Sequence, residues 1–248
     1  MTRSGRQKAF SLVELLIVIA IIAMLTGILV PSLGRAKSMA KRMSCLSNMR
    51  NMVIAANEYA TVNDGSFPVA YYRPPADTSK YVYVSWDFRY RTDGKIDPGL
   101  LWSIGQNLKV QQCPSYEGPA NWPGGDRYTG YNYNTSYIGH GEYEAIFAPA
   151  KIRQVKDPSR CAIFGDGEYS GGANKFMRSP FGCPGDSTFS SRSAGTQGFR
   201  HLHTTNAGFC DGHAEPLEEK HTETSDPAPS FAESTGFLSS DNDLYDLE

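Results

Sequence analysis

Phe10-Ser11-Leu12-Val13-Glu14-Leu15-Leu16-Ile17-Val18-Ile19-Ala20-Ile21-Ile22-Ala23-Met24-Leu25-Thr26-Gly27-Ile28-Leu29-Val30 is an unbroken apolar run with a single charge, Glu14. As a helix it reaches about 32 Å, roughly one bilayer core. No second run of this kind follows, so the sequence predicts one span at most. Over 248 residues with a formal net charge of -2, that excludes a polytopic membrane protein, a collagen and a wholly disordered chain. The near-neutral charge is an average of unlike parts. Residues 218–248 hold nine acidic residues against one lysine, leaving residues 1–217 with a formal charge of about +6.

Ahead of the run, Met1 to Lys8 carries Arg3, Arg6 and Lys8 and no acid, as the basic end of a secretory signal would. An ordinary signal does not fit the rest. The apolar stretch is too long, no small-x-small cleavage site closes it, and a carboxylate inside a membrane segment costs about 2.5 kcal/mol or more unless it has a partner.

The octapeptide Lys8-Ala9-Phe10-Ser11-Leu12-Val13-Glu14-Leu15 resembles the class III signal of type IV prepilins and type II secretion pseudopilins. The resemblance implies cleavage by a prepilin peptidase between Ala9 and Phe10, N-methylation of Phe10, and use of Glu14 in assembly. Ala9 stands where the family usually has Gly, and is small enough for the same cut. The role implied for Glu14 has a physical basis. When helices pack side by side, the carboxylate of one subunit can pair with the terminal ammonium of its neighbour, removing two unpaired charges from hydrocarbon at once. Arg35, Lys37, Lys41, Arg42 and Arg50 follow the span, so a count of basic residues would favour the opposite orientation. It is the resemblance that places the leader in the cytoplasm, the span in the inner membrane, and the carboxy-terminal part in the periplasm or, after assembly, outside the cell.

Beyond the span, Leu33, Ala36, Ala40, Met43, Leu46, Met49, Val53, Ala56 and Ala60 recur in steps of three and four. One helix is therefore expected from the membrane to about Val62, where Asn63-Asp64-Gly65 and Pro68 end it. Gly27 and Pro31 predict a kink or local melting, the alternative being that Pro31 ends the span and a separate helix follows. The resulting division is a leader at 1–9, a membrane and assembly helix at 10–30, an extramembrane amphipathic helix at 31–64, a head at 65–217, and an acidic tail at 218–248. The tail has too few large apolar side chains to predict an ordered structure.

Residues 65–200 hold 29 of the 39 Gly and Pro residues, which predicts short strands, turns and long loops. Candidate strands are 81–86, 109–113, 160–164 and 208–210. The tyrosines crowded between Tyr71 and Tyr143 suit the core of a loop-rich domain better than a binding surface. Ala162-Ile163-Phe164-Gly165-Asp166-Gly167 is echoed by Ala207-Gly208-Phe209-Cys210-Asp211-Gly212, and in each the Asp-Gly pair is a hairpin-turn signal. His201, nine residues, then Asp211-Gly212 resembles the carboxy-terminal motif of pilin-like proteins of planctomycetes and related bacteria. Ser44-Cys45-Leu46-Ser47-Asn48, Asp64-Gly65-Ser66-Phe67-Pro68 and Gln112-Cys113-Pro114-Ser115 resemble segments of the same group.

Four histidines, His201, His203, His213 and His221, lie close in sequence, with His201 and His203 expected on one strand face. A Zn²⁺ site from His and Asp, or a Ca²⁺ site from Asp166 and Asp211, is conceivable, but neither has a dedicated ligand loop. A hairpin with surface histidines is the simpler expectation. Cys45, Cys113, Cys161, Cys183 and Cys210 show no metal-finger spacing; if exported they could form up to two disulfides, and the spacing does not choose the pairs.

No catalytic motif is present, so an enzyme is not expected. The expected architecture is α+β and pilin-like, a long amino-terminal helix packed on a small antiparallel sheet with long loops. The expected function is a structural subunit that polymerises with itself and other pseudopilins on an inner-membrane assembly platform, for type II secretion-like export, with no nucleic acid among its partners. The alternatives are a monomeric membrane-anchored periplasmic binding module and, less favoured, a tethered hydrolase.

Overall fold

The computed structural model describes residues 10–102, 108–119, 126, 128–142, 144–183 and 191–248. The leader at 1–9, with Ala9, lies outside them. The chain divides into two compact units, one up to Ala40 and one from Lys41 to Glu248.

Helix α1 runs from Leu12 to Val62, ending where the Asn-Asp-Gly signal predicts. It continues through Pro31 as one element, so the separate-helix alternative does not hold. Pro31 has no N–H for the Gly27 carbonyl. The Ser32 hydroxyl donates to the Leu29 carbonyl at 2.9 Å close by.

In the first unit every described residue is exposed apart from the half-buried Ser38. In the second, α1 buries Cys45, Leu46, Met49, Met52, Val53, Ala56 and Ala60. The helical period in the sequence is thus resolved into two stretches. Leu33, Ala36, Ala40 and Met43 stay exposed, and burial begins at Cys45.

Among the described residues the head holds three sheets where one was expected. β1 (Tyr71–Tyr72), β2 (Tyr81–Ser85), β3 (Phe88–Arg91) and β4 (Ile96–Pro98) form an antiparallel meander. β5 (Asn132–Asn134), β6 (Ala162–Gly165), β7 (Phe176–Met177), β9 (Thr205–Phe209) and β10 (Ala214–Leu217) form a second sheet, ordered β10-β9-β6-β5-β7, in which only β5 and β7 pair in parallel. β8 (Gln197–Gly198) pairs with β11 (Thr235–Gly236). The candidate strand at 109–113 is instead a 3-10 turn over Leu108–Gln111. The other three candidates overlap β2, β6 and β9.

The second sheet is covered on both faces. On one, α1 approaches β9 so closely that a Cβ on Gly208 would sit 3.0 Å from Val53 Cγ2 and 3.4 Å from Met49 Cβ. Beside it, Trp86, Tyr133 and Phe164 form a ring cluster with centroids 5.2 to 5.7 Å apart. Tyr71, Tyr131 and Tyr133 are buried, in keeping with a core role for the tyrosines.

On the other face lie Ala162, Met177, Ala207 and Phe209, packed with Phe237, Leu238 and Tyr245. This corrects the expectation of a disordered tail. Its few apolar residues are placed where an otherwise bare sheet face needs covering, and the backbone joins in: Ala162 N–H donates to Leu244 O at 2.9 Å, and Lys156 N–H to Leu247 O at 2.7 Å. Asn134 Nδ2 donates to Ala162 O and Tyr245 O, each at 2.8 Å. Tail acids also meet basic residues of the head, Asp243 with Arg160 and Glu248 with Lys156, though exposed pairs add at most about 1 kcal/mol each. Truncating the buried Leu238 to Ala is expected to cost about 2 kcal/mol in denaturant unfolding of the head. A loss below about 0.5 kcal/mol, the usual surface value, would show the tail to be dispensable.

One buried charge cluster had no sequence signal. The Lys175 ammonium, fully buried, lies 3.0 Å from Asp87 and 3.2 Å from Asp126 and donates to Tyr90 Oη at 3.4 Å.

Candidate functional site

Two regions carry the residues singled out from the sequence, one in each unit. In the first, Ser11 opens α1. Its Oγ accepts from Val13 N–H at 3.3 Å, and its own N–H donates to Glu14 Oε2 at 2.9 Å. This reciprocal cap satisfies two of the N–H groups that the start of a helix leaves without partners, and sets a negative charge at the positive end of the helix dipole. Phe10 is 70% exposed, and the apolar stretch that follows is long enough to cross a membrane and wholly unburied. The surface it presents is consistent with membrane anchoring.

In the second unit, three of the sequence segments converge on one buried centre. Cys45 comes from α1, Cys113 from the Cys-Pro-Ser loop after the 3-10 turn, and His201 from the turn after β8; Asp166, at the end of β6, completes it. All four are buried, with donor atoms within 4.8 Å of one another. The Cys45 and Cys113 sulfurs are 3.1 Å apart, and Cys113 Sγ is 3.6 Å from His201 Nε2. His201 Nε2 also lies 3.2 Å from Asp166 Oδ2. Arg200 seals the cluster, its Nε donating to Cys113 Sγ at 3.4 Å and its Nη2 to Asp166 Oδ1 at 3.2 Å.

Burial alone would lower the His201 pKa, but hydrogen bonds to Asp166 and Cys113 outweigh it and push the imidazole up to about 9. Burial opposes ionisation of Cys113 as well. The hydrogen bond from Cys45, then Arg200 and His201, reverse this and bring its thiol well below the usual range. Cys45 moves the opposite way, raised by its hydrogen bond to Cys113 and by burial. Of the two, Cys113 is the more readily ionised.

As a metal centre, the donor set would be two sulfurs, an imidazole and a carboxylate, a combination suited to Zn²⁺. The carboxylate is already engaged. Asp166 Oδ2 accepts from Asn206 N–H at 2.8 Å, Asn206 Nδ2 at 2.9 Å and His201, while Oδ1 accepts from Arg200. A dication would also meet the Arg200 guanidinium across the cluster.

The structure does not bring together the sets expected from the sequence. Asp166 and Asp211 stand at opposite ends of β9, Asp166 beside Asn206 and Asp211 beyond Phe209, so they do not form a Ca²⁺ pair. Asp166-Gly167 is not a hairpin turn, because Asp166 is fully buried and Gly167 bridges to Gln197. Asp211-Gly212 is one: it joins β9 to β10, Gly212 has a φ of 103°, and Asp211 pairs with His213 at 2.6 Å. His201 and His203 do not share a strand face, since Leu202 and His203 take φ of 58° and 67° and turn the chain within the His201–Thr204 bridge. His203 is exposed and His213 and His221 are half-buried, while His201 is buried. The His-x9-Asp-Gly segment thus serves two places, a buried centre and a hairpin turn. Cys45, Cys113 and Arg200 were not assigned to the centre from sequence. The available signal was the adjacency of Arg200 to His201 and the resemblance of both cysteine segments to the same group of proteins.

No curated protein and no solved structure matches this chain. Residues 4–30 match the family model for the prokaryotic N-terminal methylation motif, which supports processing by a prepilin peptidase and is consistent with a protein of the type IV pilin-like and pseudopilin family.

Proposed function

We propose that this chain is a structural subunit, cleaved between Ala9 and Phe10, N-methylated on Phe10, and polymerised through α1 into a periplasmic or surface fibre serving type II secretion-like export. In this reading the inner membrane holds the subunit before assembly, with the head on the far side from the leader, and other copies and other pseudopilins are its partners on the assembly platform. The observation that carries the reading is the division of α1. Its apolar surface runs through the methylation motif and on to Met43 fully exposed, and the head begins to cover it only at Cys45. A surface of that size and continuity needs lipid before assembly and neighbouring helices after it. Glu14 has its only described contact with its own helix cap, leaving the carboxylate available to a neighbouring amino terminus.

Mass spectrometry of the mature protein, isolated from cells with an active prepilin peptidase, tests the processing step. The expected amino terminus is Phe10 carrying one methyl group. An intact Met1, or a terminus beyond Val30, would remove the proposal.

A further inference from the structure

We propose that Cys45 and Cys113 form a structural disulfide that staples α1 to the head at the point where the helix first becomes buried. The proposal rests on the preceding reading in one respect, that the head is exported to a compartment where disulfides persist. Its geometry stands independently. The two sulfurs, 3.1 Å apart, are already closer than the roughly 3.7 Å separation of two thiolates on a tetrahedral zinc, and both are fully buried. Asp166, the nearest carboxylate, has its oxygens occupied by Asn206, His201 and Arg200. The centre is thus better built to hold a sulfur pair beside two cations than to hold a third cation.

The same cations suit the chemistry of closure. The described hydrogen bonds of Arg200 and His201 to sulfur go to Cys113, so Cys113 is the nucleophile. Its thiolate attacks the disulfide of an oxidant, a protein or small-molecule disulfide, forming a mixed disulfide and releasing one oxidant sulfur as a thiolate. Cys45 loses its proton and attacks Cys113 Sγ, forming the Cys45–Cys113 bond and releasing the second oxidant sulfur. Two electrons pass to the oxidant, and the two thiol protons end on its dithiol. Because both sulfurs are buried in the folded head, the exchange belongs to a late stage of folding, once the Arg200–His201 turn has reached Cys113 and before the sulfurs are sealed from solvent.

Two of the remaining cysteines also lie together. Cys161 and Cys210 flank the paired strands β6 and β9, with Cys210 N–H donating to Cys161 O at 3.0 Å and the Cys161 thiol donating to Tyr245 O at 3.7 Å. Cys183 lies in neither pair, and its thiol donates to Ser136 O at 2.9 Å. The map of linked peptides must therefore separate Cys45–Cys113 from any bridge at Cys161–Cys210.

The test is alkylation of the full-length protein, taken from the cell envelope under denaturing conditions without reductant, followed by peptide mapping. The expected result is one peptide pair joining Cys45 to Cys113, separated by reductant, and a midpoint of thermal unfolding that falls by about 10 °C on reduction. Cys45→Ala and Cys113→Ala should each have the lower midpoint and no response to reductant, with the double variant no worse than either. Both thiols alkylated, and still unlinked when the reduced protein is unfolded and refolded in a glutathione redox buffer, would overturn the proposal. So would stoichiometric zinc on the isolated protein, with both thiols alkylated once the metal is stripped. Thiols that are free in cells but close cleanly to Cys45–Cys113 on refolding in the glutathione buffer would uphold the pair and count against export of the head instead.

Discussion

Glu14→Gln is expected to leave the protein folded, inserted and cleaved, and to remove it from the fibre. Glutamine can accept the Ser11 N–H as glutamate does, so the cap at the start of α1 survives. What is lost is charge. In a bundle of packed helices the amino-terminal ammonium of Phe10 would then face hydrocarbon without a counter-ion, at a cost of about 2.5 kcal/mol or more, which reduces incorporation by about 50-fold or more. Glu14→Ala removes both cap and charge, so any difference between the two variants measures the cap alone. The measurement is the ratio of subunit in sheared fibres to subunit in the membrane, with the mature amino terminus checked for each variant. Incorporation of Glu14→Gln near the wild-type level would sink the assembly role of this carboxylate. Wild type and variant both recovered only as membrane monomers would turn the reading toward a tethered binding module.

The amino-terminal half of this fold was legible because its signals are local. An uninterrupted apolar run and an Asn-Asp-Gly stop each act locally, and together they specify α1 from Leu12 to Val62. Pro31 shows the limit of that logic. Its ring removes one hydrogen bond, but the many others along a 51-residue helix outweigh the loss, and the helix continues. Periodicity also could not say which half of the apolar face the head covers. That depends on Gly208 letting β9 approach Val53 and Met49, a contact between residues far apart in the chain.

The tail and the buried centre were hidden for a related reason. Phe237, Leu238 and Tyr245 form no periodic pattern and sit among acids, so composition points to disorder; only the bare second face of a sheet built from distant strands gives them a place to pack. At the centre, the individual segments of Cys45, Cys113 and His201 stood out, while their convergence did not. His201 is followed by left-handed residues at Leu202 and His203, a conformation that leucine does not signal. Asp211, the partner suggested by spacing, is held instead by His213 in an exposed turn.

Lys175→Met is expected to destabilise the head by about 3–5 kcal/mol, among the largest losses a single substitution can cause here. Charged residues are ordinarily read as surface, yet the Lys175 ammonium, Asp87 and Asp126 are all buried, with each carboxylate within 3.2 Å of the ammonium. Such a cluster adds little net stability when complete, because desolvation offsets attraction. Removing its one cation leaves two buried carboxylates facing each other. Burial, and then the charge of Asp87, already push the Asp126 carboxyl up to about 7 against the attraction of Lys175. A carboxyl raised on folding contributes stability that is fully present below its unfolded pKa of 3.8 and is lost as pH rises through about 7. Without Lys175 the rise at Asp126 is larger, so the variant should be hurt most at pH 8 and partly recover at pH 5, where protonation of Asp126 relieves the repulsion. Adding Asp87→Asn and Asp126→Asn to Lys175→Met removes the stranded charges and should return most of the loss. Denaturant unfolding of wild type, single and triple variants at both pH values decides it. A loss in Lys175→Met below about 1 kcal/mol, or one equal at pH 5 and pH 8, would show that the cluster is hydrated and behaves as a surface pair.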